Sequence, residues 1–211
     1  MKTRLIYPRV IIFLYTIILF HGCTSNISKP DLKNKNIICF GNSITEGVGS
    51  DVGEDFPSLL AKKLNRPVMN AGKGGDTTRS ALERLKADVL EKNPGLVIVE
   101  LGGNDYLQKI PREETFKNLE KIITDIQQED AVVVLAAVKI GVLFDEYYSG
   151  FKTVAQKKKI LLIPDIMQDV FINPKFKSDS IHPNAAGYQM IAEKIYRYIV
   201  PSVKDKNWFG Q

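Results

Sequence analysis

Histidine and cysteine are scarce in this sequence, two of each in 211 residues. His21 and His182 cannot build a histidine-based metal cluster, so no metal site is expected, and Cys23 and Cys39 supply no disulfide framework. Cys39 lies inside the apolar run Ile37-Ile38-Cys39-Phe40, where a lone thiol reads as a buried small hydrophobe and not a nucleophile. A strong excess of one charge is missing too. The formal net charge is +5, yet Lys2, Arg4 and Arg9 all precede the first acid, Asp31. The remainder carries 26 cations against 24 acids, a balance of +2 that gives nucleic acid no reason to bind. Lys157-Lys158-Lys159 reads as a solvated helix end. Neither Gly-x-x-x-x-Gly-Lys-Ser/Thr nor Gly-x-Gly-x-x-Gly occurs, which counts against a nucleotide site.

What is present starts with an unusual N-terminus. Three cations precede the apolar run Val10–Phe20, which ends at His21-Gly22-Cys23. A cationic start, a short apolar run and a small residue before a cut site describe a signal peptide. The run falls short of the roughly 20 apolar residues of a membrane-spanning helix. The cysteine after Gly22 makes the segment resemble a bacterial lipoprotein signal, with Cys23 as the lipid attachment site. Phe20 and His21 stand where that pattern has Leu and a small residue, so an uncleaved anchor is the alternative. Residues 1–23 are thus read as the signal, 24–35 as a polar tether, 36–201 as one domain and 202–211 as a polar tail. An exported protein held at a membrane, facing the periplasm or the cell exterior, is expected.

Within the domain, short apolar runs alternate with amphipathic stretches. Ile37–Phe40, Pro67–Asn70, Leu96–Leu101, Ala131–Val138 and Ile160–Ile163 have the length and β-branched content of buried parallel strands. Leu82, Leu85 and Val89 recur at helical spacing behind a cap at Asp76 or, alternatively, Thr77. For Asp76, capping is the preferred reading over catalysis. A second helix starts near Pro111 and aligns Phe116, Leu119, Ile122, Ile123 and Ile126; a last one follows Pro183-Asn184 with Ile191, Ile195 and Ile199. The alternation predicts a three-layer α/β/α sandwich on a mostly parallel five-stranded sheet.

In such sheets ligands bind beyond the carboxyl ends of the strands. There the sequence has Gly41-Asn42-Ser43-Ile44-Thr45, then Asn70 to Asp76, then Gly102-Gly103-Asn104-Asp105, and late in the chain Asp179-Ser180-Ile181-His182-Pro183. Alone, each key residue has a bland reading: Ser43 as a helix N-cap, Gly72, Gly74 and Gly75 as turn formers, Asn104 as a turn cap, His182 as a surface turn residue. Together they are the parts of an acyl-transfer site. A serine hydroxyl needs a base, the base needs a carboxylate to hold its tautomer, and the tetrahedral intermediate needs hydrogen-bond donors.

The four blocks, in this order, resemble the SGNH (GDSL-type) hydrolase superfamily. Val99-Glu100-Leu101-Gly102-Gly103-Asn104-Asp105 is similar to its bacterial acyl thioesterase/lysophospholipase/arylesterase branch. The resemblance runs from about Ile37 to the last helix and implies a flavodoxin-like sheet. It makes Ser43 the nucleophile, Asp179 and His182 its partners, and the Ser43 and Gly75 N–H groups with the Asn104 amide the oxyanion hole. No cofactor is implied. The substrate implied is a small-molecule acyl ester or thioester, and a monomer is expected. Two departures stand out. Asn42 replaces the usual Asp before the serine, a structural position whose role its carbonyl oxygen can keep. The stretch Lys139 to Tyr148 is shorter than the branch's acyl-groove loop, although Ile140, Val142, Leu143 and Phe144 are candidates for the substrate pocket. A carbohydrate or cell-wall O-acetyl esterase is the alternative substrate reading, and a non-catalytic ligand-binding lipoprotein the alternative of another class.

Overall fold

The computed structural model describes residues 34–139 and 145–202. Five strands form one parallel sheet: β1 (Asn36–Gly41), β2 (Val68–Gly72), β3 (Pro94–Glu100), β4 (Val132–Ala136) and β5 (Leu161–Ile163), in the order β2-β1-β3-β4-β5. All five predicted strands are present, and the α/β/α sandwich is borne out. The chain leaves β1 for β2 on one side and returns to β3 on the other. The strand order therefore reverses between β1 and β3, which opens a crevice at their carboxyl ends.

Both faces of the sheet are covered. Along β1, Ile37 and Cys39 face one layer, while Ile38 and Phe40 face the other, the period-two alternation of a strand. The first layer contains α2 (Phe56–Leu64) and α8 (Ala185–Ser202), through Phe56, Leu60, Ile191, Ile195 and Ile199. The second contains α3 (Thr78–Asp88), α5 (Arg112–Gln128) and α6 (Asp145–Lys158), through Leu85, Leu119, Ile122, Ile126 and Phe151. Burial of each such side chain stabilises the fold by about 1.5–3 kcal/mol. Cys39 is fully buried, and its thiol pKa is pushed up chiefly by that burial, so it is a packing group.

Local signals locate the helix starts. Thr77 caps α3 by accepting from the Ser80 N–H, so the cap is Thr77 and not Asp76. Asp76 instead accepts from the Ser80 hydroxyl and pairs with Arg84 at 2.6 Å. α2 had no counterpart in the sequence reading, nor had the short α4 (Gly103–Leu107) and α7 (Gln168–Phe171), while α6 was read only at its end, Lys157-Lys158-Lys159. Asp55 caps α2 through the Ser58 N–H, with Pro57 in the first turn; α6 takes in Tyr147 and Tyr148, the end of the stretch read as a loop. Among the described residues, no helix is long and apolar enough to cross a membrane.

Candidate active site

β1 ends at Gly41, where only glycine fits: a Cβ there would lie 2.5 Å from the Glu100 carbonyl oxygen. Asn42 then turns the chain and caps the short helix α1 (Ser43–Glu46), its Oδ1 accepting from the Ile44 N–H at 2.9 Å. Ser43 is thus the first residue of α1, where backbone N–H groups have no acceptor within the helix. Asn42 also donates from Nδ2 to Glu100 Oε1 at 3.0 Å, and the Thr45 hydroxyl donates to Glu100 Oε2 at 3.0 Å. Glu100, at the end of β3, is 1% exposed. Its burial outweighs these bonds and pushes its pKa up to about 8.

On the opposite rim, residues 178–183 form a tight turn. Asp179 Oδ1 accepts from the N–H groups of Ile181 and His182, both at 2.8 Å, and Oδ2 lies 2.7 Å from His182 Nδ1. The His182 side chain and backbone, with the Ile181 N–H, hold the Asp179 pKa down at about 2. The turn is closed by the Ser178 N–H donating to the His182 carbonyl and by the bridge between Lys177 and Pro183. His182 Nε2 lies 3.1 Å from Ser43 Oγ. A carboxylate can only accept, so in the neutral ring Nδ1 carries the hydrogen and Nε2 accepts from the serine hydroxyl. A hydroxyl, an imidazole and a carboxylate in this series can move a proton off the hydroxyl.

The third element of the site follows β3. The helix α4 (Gly103–Leu107) carries Asn104, whose Nδ2 donates to the Asp76 carbonyl at 2.9 Å. Buried Asp105 accepts from the Thr78 N–H, from the Thr78 hydroxyl and from Thr115, which joins α4 to α3 and α5. Gly75 precedes Asp76 and has φ +80°, the left-handed region that glycine adopts without strain. Ser43, Asn104 and His182 line one cleft, and Glu100 also lines it. Gly75 is not among its lining residues; it adjoins the site through Asp76. The apolar lining consists of Ile44, Leu107, Val138, Phe171 and Ile181. The pocket candidates Ile140, Val142, Leu143 and Phe144, and the lipid-site candidate Cys23, lie outside the described residues. The sequence reading gave no role to Glu100, Leu107, Phe171 or Ile181. Only Glu100 had a signal: a charge inside the apolar run Leu96–Leu101.

The model of the GDSL-like lipase/acylhydrolase family matches residues 39–190, most of the chain and all four blocks. The chain belongs to this family. As a member it is an ester-hydrolysing serine hydrolase, as the four blocks had implied. It is 29% identical over 175 residues to thioesterase 1/protease 1/lysophospholipase L1 of Escherichia coli strain K12, covering 79% of this chain and 84% of that protein. It is 28% identical to the arylesterase of Vibrio mimicus, covering 89% and 97%. Among solved family structures it is similar to the psychrotrophic esterase EstA from Pseudoalteromonas sp., in a form inhibited by monoethylphosphonate. That match has a TM-score of 0.73 and 25% identity, covering 84% of this chain and all of EstA.

Proposed function

We propose that Ser43 is the nucleophile of this hydrolase, His182 its general base and Asp179 the carboxylate that orients the base. One observation carries the reading: the unbroken series Ser43 Oγ, His182 Nε2 at 3.1 Å, and His182 Nδ1 to Asp179 Oδ2 at 2.7 Å. Nε2 takes the hydroxyl proton as Ser43 Oγ bonds to the ester carbonyl carbon. The carbonyl oxygen becomes an oxyanion. When it re-forms the double bond, the leaving oxygen or sulfur departs with the proton from Nε2, and the acyl group stays on Ser43. Water then repeats the sequence through the same base and frees the acid.

The Ser43 and Gly75 N–H groups and the Asn104 amide are assigned to the oxyanion. The amide nitrogen has two hydrogens; the Asp76 carbonyl takes one and fixes its plane, leaving the second for substrate. Each such donor contributes about 3 kcal/mol in the transition state. The apolar cleft lining suits an acyl group, and the likeness to a thioesterase/lysophospholipase and to an arylesterase favours medium or long acyl chains, on a lysophospholipid or a thioester, over acetyl groups.

Hydrolysis of p-nitrophenyl esters from acetyl to dodecanoyl, with Ser43→Ala as the blank, tests both parts. The expected result is a rate maximum at medium or long chains and no turnover above solvent in the variant. Hydrolysis retained by Ser43→Ala removes the assignment, and activity confined to acetyl transfers the reading to an O-acetyl esterase. The leader supports export and attachment to a membrane through lipid on Cys23. Fatty-acid labelling of the chain in a bacterial host should disappear in Cys23→Ala; no label in either chain rejects the anchor.

A further inference from the structure

We infer that Glu100 is a positioning residue for the nucleophile, acting as a strap across the turn that carries Ser43. The inference rests on Ser43 being the nucleophile. Each Glu100 oxygen holds one side of the turn: Oε1 takes Asn42 Nδ2 before the serine, and Oε2 takes the Thr45 hydroxyl after it, both at 3.0 Å. The amide of Asn42 cannot rotate without loss, because its own oxygen holds the Ile44 N–H. Glu100 itself cannot retreat: it sits at the end of a strand buried along its whole length, against the backbone of Gly41. Ser43 is thereby gripped from both flanks by one carboxyl on a neighbouring strand.

A buried carboxyl is costly to keep, and packing alone would be served better by an apolar side chain. What Glu100 supplies is direction. Asn42 and Thr45 are likewise buried, at 4% and 0% exposure, and each offers it a donor. The amide at position 42 matters here. A carboxylate in its place would meet Glu100 oxygen to oxygen at about the same distance, and the pair would need a shared proton to stay together. Asn42 and Glu100 are thus a matched donor and acceptor, and the departure from the usual Asp is accommodated by the strap.

The groups facing Glu100 from other elements are few. Asn42 and Thr45 face it from the β1–α1 turn, and the His182 imidazole shares its cleft from the 178–183 turn. From α8, the Tyr188 hydroxyl, bonded to the Val48 carbonyl, is near enough to feel its charge.

The test is a set of full-chain variants assayed on one soluble p-nitrophenyl ester. Glu100→Met removes the strap at similar volume. It is expected to lower kcat about ten- to a hundred-fold with KM nearly unchanged, the scale of a small misplacement of a reacting group. Glu100→Gln keeps an acceptor for Asn42 and turns its amide hydrogen toward the Thr45 oxygen, and should return kcat to within a few-fold of the native value. Thr45→Val cuts one half of the strap and should give a smaller fall in kcat, which decides the matter if Glu100→Met does not fold. Native kcat in Glu100→Met, or in Thr45→Val where Glu100→Met is insoluble, overturns the proposal. So does a Glu100→Gln variant as impaired as Glu100→Met, because charge and not the strap would then be responsible. A loss confined to KM also overturns it, making Glu100 a substrate contact. Ser43→Ala on the same ester keeps the two ideas apart: if it retains activity, the nucleophile is wrong, whatever Glu100 does.

Discussion

The Asp179–His182 turn and the Ser43 turn meet across one hydrogen bond of 3.1 Å, but they are held in different ways. Asp179 is half exposed, and its contacts to Ile181 and His182 span two or three residues of sequence. Ser43 lies between two buried residues tied to Glu100, a partner 58 residues from Asn42 and 55 from Thr45. His182 is positioned by a turn that carries its own bonds. Ser43 depends on the register of β1 against β3, in which Gly41 sits beside Glu100. Damage to the first turn should cost chemistry and leave the fold, whereas damage to the second should cost both.

Asp179→Asn separates them most sharply. The side-chain oxygen of Asn can still accept from the Ile181 and His182 N–H groups, so the turn should persist, and the melting temperature should fall only slightly, by the exposed carboxylate's small contribution. Its NH2 group would face His182 Nδ1 as a donor and favour the tautomer with hydrogen on Nε2, which cannot take the serine proton. A fall in kcat on the order of 10³- to 10⁴-fold is expected. Rate assays with thermal melts check this, and a drop in melting temperature equal to that of a core variant would contradict the self-contained turn. The native carboxylate should keep its charge on acidification to about pH 2. Its depressed pKa contributes stability above the ordinary carboxylate range, lost as pH falls toward 2.

The same contrast explains how much could be read from the sequence. Asp179-x-x-His182 is visible as a motif because its partners are three residues apart. The strands were visible because each is an apolar run, and the crevice followed from their parallel order. Glu100 was not legible as a partner of Asn42 and Thr45, since nothing local in either segment records the β1–β3 register. Its one trace, an acid among Leu96, Val97, Ile98 and Val99, says that a buried charge needs partners without saying which. The apolar lining shows the same limit: Leu107, Val138, Phe171 and Ile181 come from three separate connections. The cap of α3 stayed open between Asp76 and Thr77 for a local reason. Asp76 and Thr77 are both good caps by residue type; in the fold Thr77 takes the Ser80 N–H while Asp76 pairs with Arg84, eight residues on.

A smaller effect tests the buried side through pH. In the unfolded chain Glu100 ionises near the ordinary glutamate value of about 4.3; in the fold it does so at about 8. Between these values the native state holds a proton that the unfolded state has released, so the contribution is fully present below the lower pKa and is lost as pH rises through 8. Glu100→Gln has no proton to lose. Its stability relative to the native chain should therefore grow from pH 5 to pH 8 and then level off, by a few kcal/mol at most. Urea melts at a series of pH values measure this; a constant offset between the two chains would show that Glu100 is ionised in the fold throughout. Asn42→Asp should do the reverse. Two facing carboxyls would hold one proton between them and titrate as a pair, and stability should fall more steeply above neutral pH. Adding Glu100→Gln to that variant restores a donor for the new aspartate and an acceptor for Thr45. The double variant should lie closer to the native chain than Asn42→Asp alone, and additivity of the two changes would mean that positions 42 and 100 do not act as a pair.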